Sequence, residues 1–163
     1  WKNILPNENK KWVGFCQKRR FWLKSENLEN TITKDNLNDH LLTNIDDKLN
    51  EYESFICNPI SLMGAKKIKI IKKGWKNLIK DPSILFRKEK ESILLHFDMH
   101  HGYKNLEKAI DLLDKENKYD FLEYVKNKTS YNPHIMCISK PKILDKWFKD
   151  LFPWLERCEA EFG

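Results

Sequence analysis

The residues of this chain best suited to chemistry lie in a few short stretches. Arg19 and Arg20 stand side by side just after the apolar run 12–16, with Gln17 and Lys18 before them and Phe21 and Trp22 behind. A guanidinium forks onto phosphate oxygens as an ammonium cannot. An arginine at the end of a buried strand therefore suits a phosphate-bearing ligand at a sheet edge, where ligands of α/β proteins gather. Spacing alone favours the plainer reading, two solvated arginines in a loop. His96, Asp98, His100 and His101, followed by Gly102, form the densest group of acid-base residues. On a helix, His96 and His100 share a face at i and i+4, a spacing that admits two imidazoles on one metal. No glutamate follows His96 and no third ligand is apparent, so spacing favours a helix end whose histidines pack or cap carbonyls, and no metal ligand is assigned. Asn132, Pro133 and His134 enter a later apolar run, where a polar residue either points into a cleft or only makes the turn. Glu156, Glu159 and Glu161 are late carboxylates whose role spacing leaves open.

Lys66, Lys67, Lys69, Lys72, Lys73, Lys76 and Lys80 fill the polar side of a helical pattern whose other side carries Ile68, Ile71, Trp75, Leu78 and Ile79. Most such runs are solvated faces. A basic amphipathic helix can also lie on anionic lipid, gaining about 1 kcal/mol per lysine near the surface. The chain as a whole carries 30 Lys and Arg against 24 Asp and Glu, a formal charge of +6. That excess suits a phosphate ligand, an anionic membrane or nucleic acid without choosing among them.

The elements that must position these residues follow from periodicity. Runs 12–16, 54–57 and 134–138 read as short strands. Leu37, Leu41, Leu42, Ile45 and Leu49 recur near a four-residue step and predict an amphipathic helix over 37–49. The lysine helix covers 66–80, weakened at Gly74 by about 1 kcal/mol relative to Ala and stopped by Asp81-Pro82. A further helix starts near Lys88 and stops at Gly102. Leu106, Ala109, Ile110 and Leu113 define the next, and Phe121, Leu122 and Val125 a shorter one. Ser139 and Pro141 make a helix start, and Leu144, Trp147, Phe148, Leu151, Phe152 and Leu155 give the strongest stripe, interrupted at Pro153. The expected fold class is α/β, a small sheet of about three or more short strands packed by several helices.

Length favours a single domain over 1–163. A composition 40% hydrophobic and 33% charged, with 9 Phe, 6 Trp and 5 Tyr, excludes disorder. The four cysteines have no zinc or redox spacing. Cys16, Cys57 and Cys137 sit in apolar runs and read as buried reduced thiols, which suits a reducing cytoplasm. No stretch approaches the roughly 20 apolar residues of a membrane span, and no signal peptide is visible. The expected location is cytoplasmic, with peripheral contact at the inner face of the membrane through the lysine helix 66–80. The chain opens on Trp1 in a stretch that reads as the interior of a protein, so an N-terminally truncated domain is expected.

Taken together, the segment 11–22, His101-Gly102, and Pro133-His134 through Phe152-Pro153-Trp154-Leu155 to Glu159 resemble one bacterial family. It is a domain-of-unknown-function family of capsular-polysaccharide glycosyltransferases, similar to the GT-A nucleotide-sugar enzymes. The family's arginine strand reads Gly-hydrophobe-x-His/Gln-Tyr-Arg-Arg-Tyr/Phe. Gly14, Gln17, Arg19, Arg20 and Phe21 match it, and Lys18 replaces the tyrosine. The late Asn-Met-Phe-Ile element is here Ile135, Met136, Cys137 and Ile138, without the asparagine.

The resemblance implies transfer of a sugar from a nucleotide-sugar donor to a surface glycan acceptor. Arg19 or Arg20 would neutralise the departing diphosphate, and Asp98, His100 or His101 would position or deprotonate the acceptor hydroxyl. Gln17, Gly102, Asn132 and His134 would contact substrate. The Asp-x-Asp pair that commonly holds a divalent metal in the GT-A fold does not occur, so no cofactor is assigned and a divalent metal rests on the resemblance alone. The competing reading is a non-enzymatic basic module on an anionic membrane surface or nucleic acid, with nucleic acid the less expected partner of an enzyme.

Overall fold

The computed structural model describes residues 11–18, 20–24 and 31–163. These residues fall into two compact units, one comprising the residues up to Cys57 with His134–Phe148, the other Asn58–Pro133 with Lys149–Gly163.

The first unit is built on a three-stranded antiparallel sheet. β1 (Val13–Phe15) and β2 (Ser54–Ile56) flank β5 (Cys137–Ser139), giving the order β1-β5-β2. Every residue of β5 is buried, as a central strand covered on both faces requires. Gly14 lies opposite Ile138, and a methyl group added there would come within 3.3 Å of the Ile138 side chain. On the other side Phe55 faces Ile138. Ser139 is buried, and its hydroxyl meets Ser54 Oγ at 2.6 Å and donates to the Glu53 carbonyl at 3.0 Å. The third strand is shorter than the 134–138 run suggests. Its two neighbours offer three residues each, so only Cys137–Ser139 finds partners, and Ile135 stays exposed.

The helix expected over 37–49 is largely absent. Only α1 (Leu37–His40) forms, followed by a 3-10 turn at Asp47–Leu49. The cause is a competing backbone pairing. Leu42 N donates to Trp22 O at 2.9 Å, Lys24 N donates to His40 O at 3.0 Å, and Leu41 bridges Leu23 in extended geometry. Hydrogen bonds to a distant segment replace the helical ones, and the apolar side chains still find cover.

In the second unit, β3 (Ile60–Ser61) pairs with β4 (Ser130–Tyr131). Five helices follow or intervene: α2 (Lys67–Lys73), α3 (Trp75–Lys80), α4 (Ile93–His101), α5 (Asn105–Asp111) and α6 (Lys115–Asn127). The residues of α7 (Pro141–Phe162) are divided between the units, and this helix runs through Pro153 without the expected interruption. Ser92 caps α4 by accepting from Leu95 N, and Gly102, at φ 100°, ends it. One core joins Ile70, Ile84, Leu95 and Met99, another Leu106, Ile110 and Val125. The Trp154 indole donates to Ala109 O at 2.6 Å, and Arg157 Nε donates to Leu112 O at 2.7 Å. These bonds tie the later turns of α7 to the last carbonyls of α5, where a cation is favoured by the helix dipole.

The lysine helix breaks into α2 and α3 at Gly74, which is buried. A methyl there would meet the Ile70 carbonyl oxygen at 2.9 Å and Met99 at 3.3 Å. The glycine thus serves close packing against α4 besides weakening the helix. Ile70, Gly74 and Leu78 face inward, while Ile68, Ile71, Trp75 and Ile79 are exposed, contrary to the face the apolar periodicity favours. Among the cysteines only Cys137 is buried. Cys57 is half-buried, and Cys16 is exposed because the chain turns away from the sheet directly after it. No helix among the described residues is long and apolar enough to cross a membrane.

Candidate functional site

In the first unit β1 delivers the motif that follows it. The chain folds back in a tight turn in which Arg20 N donates to Gln17 O at 3.1 Å. Arg20 therefore owes its position to this turn in an antiparallel sheet, not to the carboxyl end of a parallel one. Its guanidinium reaches His134, with Nη1 set against both ring nitrogens, nearest Nε2 and 3.0 Å from Nδ1. Two expected substrate residues 114 positions apart in sequence thus meet. Gln17 is half-buried within the turn. Arg19 lies outside the described residues.

The same unit holds a cleft of about 660 Å³. Trp12, Phe21 and Trp22 line it with Lys11, Cys16 and Leu42. The Trp22 indole is fixed by donating to Phe15 O at 3.1 Å. Trp12 stands against Phe55 with ring centroids 5.3 Å apart, and Lys140 Nζ lies 5.7 Å from its centroid. Rigid aromatic walls offer a planar ligand stacking surface at low entropic cost. The two tryptophans bracket the arginine motif in sequence, and that bracketing was the signal for the cleft, although spacing gave them no role.

The second unit holds the histidine group. Asp98 is only 6% exposed, and both its oxygens are engaged: Oδ2 accepts from Asn77 Nδ2 at 3.0 Å and Oδ1 from Lys104 N at 2.9 Å. Lys104 adopts φ 66° and Gly102 φ 100°, so the carboxylate secures an otherwise strained reversal between α4 and α5. His96 and His100 stack with ring centroids 4.5 Å apart, and His101 packs on Phe97 at 4.6 Å. Both His96 and His100 are held below the ordinary imidazole range, first by desolvation and then by the charge of Lys69. They are neutral at pH 7 and able to accept a proton.

A smaller cleft of about 280 Å³ opens here, lined by Lys73, Trp75, Lys76, Asp98, His100 and Tyr103 among others, with Gly102 at its margin. The ammonium groups of Lys76, Lys80 and Lys104 surround the Tyr103 ring at 5.4, 5.3 and 5.9 Å. Asn132 follows β4 and belongs to this unit, whereas His134 belongs to the first. Glu156, Glu159 and Glu161 are exposed.

Comparison of the chain with family models, with curated proteins and with solved structures finds no match. The geometry must therefore be weighed on its own. Among the described residues no group of three or more His, Cys, Asp or Glu side chains is arranged to hold a metal. The sequence also missed Asn77 and Lys104, whose contacts with Asp98 depend on folding and leave no local pattern.

Proposed function

We propose that the chain is the glycosyltransferase-type part of an enzyme that takes a nucleotide-sugar donor and passes the sugar to a glycan acceptor. The observation that carries this reading is the meeting of Arg20 and His134 in the unit that also holds a cleft walled by Trp12, Phe21 and Trp22, Phe21 following Arg20 directly in the chain. The aromatic walls suit a nucleobase, and Arg20 suits the diphosphate. As the sugar departs, negative charge builds on the leaving diphosphate, and a positioned guanidinium stabilises that charge more than it stabilises the ground state.

Among the second unit's own acid-base candidates His100 is the better suited. It is exposed and neutral and lines a cleft, whereas both Asp98 oxygens already accept hydrogen bonds. Uridine and guanosine diphosphate sugars titrated into the chain, with thermal unfolding as the readout, test the proposal. A binder at 100 times its Kd should stabilise the chain by about 2.7 kcal/mol. Arg20→Ala should abolish that response while leaving the unliganded Tm nearly unchanged, since Arg20 is exposed. Absence of any response from the unaltered chain, or an undiminished one from Arg20→Ala, would overturn the reading.

A further inference from the structure

The helix pair α2–α3 has an apolar face that the core does not use. Its inward side is Ile70, Gly74 and Leu78. Ile68, Trp75 and Ile79 are nonetheless 62%, 52% and 73% exposed, with Ile71 half-exposed and Phe86, just beyond α3, 78% exposed. Positions 68, 71, 75 and 79 recur at three- and four-residue steps, so they form one stripe along the pair. Contiguous exposure of this kind marks an interaction surface.

Charge identifies what covers it. Residues 65–80 contain seven lysines and no acidic residue. Seven positive charges exceed the chain's net +6, so the remainder is close to neutral and the basicity is local. Lys67 Nζ lies 5.4 Å from the Phe86 centroid and Lys76 Nζ 5.7 Å from the Trp75 centroid, interleaving cations with the apolar side chains. A second copy would set seven lysines against seven. Nucleic acid would use the lysines and leave the isoleucines in water.

We propose that this face docks on an anionic phospholipid bilayer, with Ile68, Ile71, Trp75, Ile79 and Phe86 entering the headgroup boundary and the lysines meeting lipid phosphate and carboxylate. Tryptophan and lysine suit that boundary, the one by its amphipathic ring and the other by its flexible charged stem. The surface lies within the second unit and owes nothing to the nucleotide-sugar reading, so either can fail alone.

Sedimentation of the chain with vesicles of phosphatidylcholine alone or of phosphatidylcholine mixed with phosphatidylserine tests the proposal. Binding is expected only with phosphatidylserine and should fall as salt rises. Lys69→Gln, Lys72→Gln and Lys73→Gln together should weaken it by about a hundredfold, near fivefold per charge. Ile68→Gln with Ile79→Gln, both on exposed side chains, should leave circular dichroism and Tm unchanged and weaken binding at least tenfold. Equal binding to both vesicle types, or full binding by the isoleucine variant, would overturn the proposal. So would a dimer in sedimentation equilibrium that Ile79→Gln dissociates, because the stripe would then be covered by a second copy.

Discussion

Replacing Asp98 by alanine separates an anchoring carboxylate from a catalytic one. The side chain is buried and accepts two hydrogen bonds, from Asn77 Nδ2 at 3.0 Å and from the Lys104 backbone at 2.9 Å. A hydrogen bond to a charged acceptor contributes about 1.5–3 kcal/mol, so the pair contributes about 3–6 kcal/mol at most. Two effects reduce the net loss. Water can reach the Lys104 amide, since that residue is exposed, and removing a buried charge recovers part of its desolvation cost. A loss of about 2–4 kcal/mol is expected, which for a chain of this size lowers Tm by roughly 4–16 °C in scanning calorimetry. Asp98→Asn should cost less, because a flipped Asn77 amide can then donate and accept in the opposite sense. A cycle with Asn77→Ala should return a coupling of about 1 kcal/mol or more. A Tm within 2 °C of the parent for Asp98→Ala, with no coupling to Asn77, would refute the anchoring argument.

Gly74→Ala should destabilise despite the better helix propensity of alanine. Gly74 stands at the break between α2 and α3, so only part of the interior gain of about 1 kcal/mol applies, and a methyl 2.9 Å from the Ile70 carbonyl oxygen outweighs it, leaving a net loss of about 1–2 kcal/mol in urea unfolding. Glu91→Ala should cost about 2–4 kcal/mol by the same assay, because Oε2 of this buried carboxylate accepts from Gly64 N at 2.6 Å and Ala65 N at 2.9 Å just before α2. His96 and His100 titrate below 6.5 in the folded chain, so the unfolded state binds more protons as pH falls through that value. Their contribution is present in full above about pH 6.5 and is lost on acidification. The Tm difference between pH 7.5 and 5.5 should therefore shrink when both become glutamine. Cys16 is exposed on the rim of the aromatic cleft, so a bound nucleotide sugar should slow its maleimide labelling, read by peptide mass, while leaving Cys158 unaffected.

Much of the fold was legible because short apolar runs and helical stripes are local signals. The runs at 12–16 and 54–57 became β1 and β2 within a residue or two, and Gly102 ended α4 at the expected place. Where the reading failed, the deciding interaction was not local. A four-residue apolar step over 37–49 is compatible with a helix, but the backbone of residues 22–24 offered hydrogen bonds that extended geometry could take. In 66–80 two apolar stripes compete, and periodicity picks the bulkier one, Ile68, Ile71, Trp75, Leu78 and Ile79, of which only Leu78 turns inward. Packing picks Ile70, Gly74 and Leu78, because the missing side chain at Gly74 lets Leu95 and Met99 approach. A residue that looks like a weak point in the sequence is thus the reason for the helix's orientation.

The candidate site divides in the same way. Arg20 and His134 could be paired only through a motif quoted across 114 residues, since nothing in either segment announces the other. Asp98 and His100 were drawn together by spacing and then separated by burial. The ammonium groups of Lys76, Lys80 and Lys104 crowd Tyr103 nearby, and Lys80 is held above the ordinary lysine range first by the hydrogen bond it donates to Tyr103 and least by the charges of Glu107 and Asp98. Proton abstraction by Asp98 would remove one of those charges and strain the bond to Lys104 N. His100 carries no such duty, and gaining a proton there breaks neither bond. On that physical ground the imidazole is the base we propose for the second unit, with Asp98 keeping the turn between α4 and α5.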